Sequence, residues 1–168
     1  MVERKPQRLN NHNYSNPKSY FVTINVISKE LPLSIIFNEK VYLNCLGKIV
    51  KKCWKEIPEH FRICELGEYM IMPDHLHGII KINSARGVGN RHACSDLAKI
   101  QNMKSRRYQI LPLAIGSFKS AVSRSIHLAG YWEFKWQKSY YDRIIRMKEL
   151  NRIRTYIRNN PLQKHEKE

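Results

Sequence analysis

Acidic side chains are scarce in this chain. Among its 168 residues, 14 aspartates and glutamates stand against 30 lysines and arginines, a formal net charge of +16. A surplus of that size excludes cationic partners and points to a polyanion: nucleic acid, an anionic membrane surface or an acidic partner. Long apolar runs are missing as well. None approaches the roughly 18 residues that a membrane-spanning helix needs. The N-terminus, MVERKPQRLNNHNYSNPKSY, is basic but has no apolar stretch for a signal peptide, so a cytoplasmic location is expected. Cysteines number four, Cys45, Cys53, Cys64 and Cys94, and no two form a CxxC pair. That spacing gives no support to a zinc ribbon or a thioredoxin-like redox motif. Cys45 and Cys53 fall in an apolar helical stripe and read as small buried hydrophobes in a reduced protein.

What remains is a single domain of ordinary size, with 42% hydrophobic residues and no internal repeat. Residues 1–18 lack periodicity and read as a basic arm, which leaves 19–164 as the folded unit. Tyr20, Val22, Ile24 and Val26 alternate along a strand. Asn38 stands where an N-cap belongs, before Tyr42, Cys45, Leu46, Ile49, Val50, Cys53, Trp54 and Ile57 at helical spacing, with a stop at Pro58. Two strand-like runs, Phe61–Met72 and His75–Ile82, are separated by a Pro73-Asp74 turn signal. Residues 83–112 are basic and read as a mobile loop. Ile115, Phe118, Val122 and Ile126 stripe a second helix ending near Gly130. Trp136–Ile145 is β-rich, and Leu150, Ile153 and Ile157 mark a last helix that Pro161 should end. The order β-α-β-β-α-β-α suits an α+β, ferredoxin-like antiparallel sheet with helices on one face and the other free for a ligand.

Two clusters carry chemistry. In a strand, side chains repeat every two residues, so His75 and His77 point the same way while Leu76, Ile80 and Ile82 point into a core. Two imidazoles side by side can chelate one divalent ion and leave positions open for phosphate oxygens and water. Taken alone, an H-x-H on a strand is more often ordinary surface than a metal site. On the last helix Tyr156 and Asn160 are i, i+4 neighbours beside the apolar stripe, with Arg152 next to them toward solvent. Together these are parts for metal-assisted attack on a phosphodiester, with a tyrosine hydroxyl as nucleophile. Lys119, Arg124, Lys138, Arg143, Arg152 and Arg158 are the cations expected around such a site. A non-catalytic single-stranded nucleic-acid-binding protein on the same sheet fits the charge equally well. It would have no need of the combination His75, His77, Tyr156 and Asn160.

Several segments, in order along nearly the whole chain, also resemble a known family. They are RLNNHNYSNPKSYFVTINV, MPDHLHGII, IGSFKSAVSR, WQKSYYDRIIR and LNRIRTYIRNNPL. The chain resembles the single-tyrosine HUH transposases and, within them, the REP-associated tyrosine transposases of bacteria. His75-Leu76-His77 matches the HUH motif. Tyr156, five residues before the closing proline, matches the nucleophile, and Asn160 the third metal ligand. The resemblance implies a ferredoxin-like HUH endonuclease fold. It also implies cleavage and rejoining of single-stranded DNA at imperfect, REP-like hairpins through a 5′-phosphotyrosine. Magnesium or manganese would be held by His75, His77 and Asn160. The protein would be a monomer or homodimer in a bacterial cytoplasm, at the nucleoid when bound to DNA.

Overall fold

The structure, a computed structural model, describes residues 12–84 and 109–164. Strand β1 (Lys18–Asn25) sits inside a four-stranded antiparallel sheet with β4 (Cys64–Ile71), β5 (His75–Ile82) and β6 (Tyr141–Ile145), in the order β4-β5-β1-β6. Counting only these four strands, the order is that of the split βαβ, ferredoxin-like sheet. The expected α+β class is therefore observed.

Alternation along β1 decides the two faces. Tyr20, Val22 and Ile24 are fully buried against α1 (Cys45–Lys55) and α3 (Ile110–Leu128), joined there by Trp54, Leu76, Ile80 and Phe118. Helix α1 starts on Asn44, whose side chain accepts from the Gly47 N–H at 2.9 Å. A Cβ on Gly47 would lie 2.0 Å from the Leu33 carbonyl oxygen, so only glycine lets the helix approach so closely. Gly78 has the same role in β5: an added Cβ would stand 2.4 Å from the buried Trp54 ring.

The other face is not free, which corrects the expectation of helices on one face only. Phe21, Ile79 and Ile145 form a second, smaller core with Ile153 and Ile157 of the last helix, α4 (Leu150–Lys164). Strand β1 is apolar at Phe21 as well as at its even positions, so both faces need cover. Helix α4 supplies it and rides on the face that bears the histidines.

Other boundaries move for local reasons. Asn38 is not an N-cap. Asn38 and Glu39 have φ of 45° and 60° and turn a hairpin between β2 (Ser34–Phe37) and β3 (Lys40–Leu43). Two consecutive left-handed residues are the type I′ geometry that matches strand twist, and Tyr42 accordingly lies in β3, exposed. Cys45 opens α1 on its exposed side, whereas Cys53 is buried as expected. A short helix α2 (Ile57–His60) takes Pro58 into its first turn. Pro112 is likewise inside the first turn of α3, which begins at Ile110, before the expected end of the loop. Helix α4 continues through Pro161 to Lys164. The proline forfeits one hydrogen bond, to the Ile157 carbonyl, in a last turn where few bonds depend on it.

The arm reading also shortens. Residues 1–11 lie outside the described residues, but Tyr14 and Ser15 are buried. The Ser15 hydroxyl and the Tyr14 carbonyl accept from the Ile110 and Leu111 N–H groups, capping α3. Most of the 83–112 segment, residues 85–108 with Cys94, lies outside the described residues too.

Candidate active site

The site forms where β5 begins. His75 and His77 pair with Asn25 and Thr23 of β1, so both imidazoles rise from the same face. Their Nε2 atoms converge to 3.1 Å. Each ring is oriented through its other nitrogen. Asp74 Oδ1 lies 2.7 Å from His75 Nδ1, and Thr23 Oγ1 lies 2.8 Å from His77 Nδ1. An ionised carboxylate only accepts, so His75 Nδ1 carries a proton and, in the neutral ring, Nε2 presents its lone pair. Threonine can donate or accept. With the hydroxyl donating to Nδ1, His77 Nε2–H can point at His75. With the hydroxyl accepting, His77 Nε2 also presents a lone pair. Burial and the neighbouring His75 lower the His77 pKa to about 3, against an opposing pull from Asp74, so His77 is neutral at pH 7.

Helix α4 brings the remaining groups. The Asn160 amide nitrogen lies 3.5 Å from His75 Nε2, and Asn160 is buried. A half-turn about its Cβ–Cγ bond would exchange the amide nitrogen for the oxygen. The Tyr156 ring centre is 5.6 Å from that of His77 and 6.1 Å from that of Phe21, and the residue is 40% exposed. Among the described residues no three His, Cys, Asp or Glu side chains are grouped to hold a metal. A metal here would therefore rest on the two imidazoles and the amide oxygen. The nitrogens fit one ion: ligands about 2.1 Å from a metal and at right angles are about 3.0 Å apart, close to the observed 3.1 Å.

Beside Tyr156 opens a cavity of about 250 Å³ lined by Phe21, Tyr141, Arg143, Glu149, Arg152 and Ile153. It combines aromatic surface with two guanidinium groups. The expected cations divide. Arg143 and Arg152 line this cavity, Arg143 paired with Glu149. Lys138 follows Gln137, whose side chain meets Asn25, the register partner of His75. Arg158 is engaged by Glu68. Lys119 and Arg124 stand on α3, across the sheet from the histidines, and Lys119 donates to the Gln137 and Lys138 carbonyls. Tyr140 is buried, whereas Tyr141 lies in β6 and is exposed. Sequence reasoning missed Thr23, Phe21 and Glu68. The first two reach the site only through strand pairing, which no spacing within the chain reveals.

No protein-family model matches the chain. An uncharacterized protein of Haemophilus influenzae (strain Rd) is 35% identical over 161 residues, covering 95% of this chain and 88% of that one. Among solved structures, a REP-associated tyrosine transposase bound to a REP hairpin superposes with a TM-score of 0.58 at 15% identity, covering 93% of this chain and 73% of that one.

Proposed function

The chain belongs to the same protein family as its Haemophilus influenzae relative and shares the fold of the REP-associated tyrosine transposase; on that basis, and on its site, we propose that it cleaves and rejoins single-stranded DNA at hairpins. Tyr156 is the nucleophile. One observation carries the reading: a tyrosine and a buried amide on one helix meet two converging imidazoles on a strand. A protein that only bound nucleic acid would gain nothing from bringing that set together.

The Tyr156 hydroxyl attacks phosphorus in line, forming the Oη–P bond as the P–O3′ bond breaks. Oη gives up its proton and the departing O3′ takes one up, leaving a 5′-phosphotyrosine and a free 3′-hydroxyl. Attack by a 3′-hydroxyl on the phosphotyrosine reverses the step, so rejoining needs no external energy. His75, His77 and the Asn160 oxygen would hold magnesium or manganese, whose charge would polarise the scissile phosphate. Asp74 and Thr23 keep the two rings aimed. The cavity of Phe21, Tyr141 and Arg152 suits an unstacked base flanking the attacked phosphate.

The test is incubation of the protein with labelled single-stranded hairpins bearing randomised flanks, in manganese. A denaturant-resistant protein–DNA adduct with release of a 3′-hydroxyl fragment is expected. Tight hairpin binding without any adduct would leave the chain a binding protein.

A further inference from the structure

Helix α4 rests on the sheet along one narrow apolar stripe, Ile153 and Ile157 with Leu150 packed beside them. At 3.6 residues per turn, Tyr156 and Asn160 lie about 60° to one side of that stripe, and Arg154 and Arg158 about 100° to the other. The arginine side is tied down. Arg154 Nε forms an ion pair with Glu68 Oε2 at 2.9 Å, and Arg158 Nη2 donates to Glu68 Oε1 at 2.8 Å. Glu68 belongs to β4, where the pairing with β5 shifts register between Leu66 and Tyr69. Burial opposes its ionisation, but its own backbone N–H and both guanidinium groups hold the carboxylate below its usual range. One carboxylate on the edge strand thus grips two successive turns of the helix that bears Tyr156.

We infer that Glu68 is a positioning residue that fixes the roll of α4, so that Tyr156 and Asn160 stay over the histidine pair. Two buried isoleucines resist lifting of the helix better than rotation about its axis. A roll of about 10° moves a side-chain tip some 6 Å from the axis by about 1 Å. An error of that size in a reacting group can cost roughly a hundredfold in rate. The same roll displaces Asn160, so the clamp acts on the nucleophile and the third donor together. This role rests on the proposed DNA-cleaving reading.

The test compares the full-length wild type with Glu68→Gln, which keeps the shape and removes the charge, and with Glu68→Asp, which keeps the charge. Three quantities are read: hydrogen exchange of peptides covering 153–160 without DNA, manganese affinity from the paramagnetic resonance of the free ion, and the rate of adduct formation on hairpin DNA. In Glu68→Gln, exchange in α4 should rise about tenfold while α1 and α3 are unchanged. Manganese affinity should fall several-fold and adduct formation at least tenfold, with hairpin affinity within twofold of wild type. Glu68→Asp should recover part of each loss. Unchanged α4 exchange in Glu68→Gln overturns the clamp, as does raised exchange with unaltered manganese affinity and adduct rate. A wild type that forms no adduct and binds no manganese defeats the functional reading instead, and the exchange data then still decide whether Glu68 holds the helix.

Discussion

The His77 ring is buried beneath Tyr156 and Phe21, and protonating it should cost the fold dearly. Its pKa in the folded protein is lowered, by burial and by His75, from 6.5 to about 3. A cation disfavoured in the folded state makes folding release a proton. The stabilisation is complete above the unfolded value of 6.5 and is lost as pH falls through 6.5 toward 3. One pKa unit is worth about 1.36 kcal/mol, so going from pH 7 to pH 4.5 should remove about 2.5 kcal/mol. With a urea dependence of about 2 kcal/mol per molar, the unfolding midpoint should fall by about 1.2 M. Other groups titrate in this range, His12 among them, so the quantity to compare is the difference between wild type and His77→Gln. Urea unfolding in the presence of a chelator, followed by tryptophan fluorescence at pH 7, 5.5 and 4.5, measures it. The variant should lack the His77 share of the acid loss. Identical pH dependence in the two proteins would refute the burial argument.

Other perturbations separate the roles of individual groups. Asn160→Ala keeps the nucleophile and loses a donor, so adduct formation should weaken and partly recover as manganese is raised in a titration. His75→Ala should abolish cleavage while hairpin affinity, measured by gel shift, stays within a few-fold, since phosphate contacts supply the affinity. For single strands, log K should fall with log salt by about 0.7 per neutralised phosphate. Arg152→Ala should make that slope shallower by about one contact, whereas Arg124→Ala, across the sheet, should leave it unchanged. Gly78→Ala forces a methyl against Trp54, and overpacking of this kind costs about 1–3 kcal/mol, measurable as a lowered urea midpoint.

Local rules made much of this molecule legible. The two-residue repeat through His75–Ile82 put the histidines on one face and Leu76, Ile80 and Ile82 in the core, as observed. The stripe from Ile115 to Ile126 gave α3, and the four-residue step from Tyr156 to Asn160 put both on one face of α4, which the structure turns toward the histidines. Features that depend on distant partners stayed hidden. Tyr14 and Ser15 look like part of a polar arm until their hydrogen bonds to residues 95 or more positions away are seen. The β2–β3 hairpin was masked because Tyr42, Cys45 and Leu46 continue a helical spacing across its end. Its Asn38-Glu39 turn also lacks the glycine that usually announces such a turn. Glu68 was invisible for the same reason as Thr23: neither has a chemical signature until the chain folds.

The central claim is that Tyr156 attacks DNA, and the most direct measurement is the location of the covalent bond. Protein trapped on single-stranded hairpin DNA in manganese is digested with nuclease and protease, and the phosphonucleotidyl peptide is sequenced by mass spectrometry. The modification should sit on Tyr156, within the peptide between Arg154 and Arg158, and Tyr156→Phe should form no adduct at any metal concentration while still folding. A modified peptide carrying Tyr140 or Tyr141, or an adduct that survives Tyr156→Phe, would contradict it.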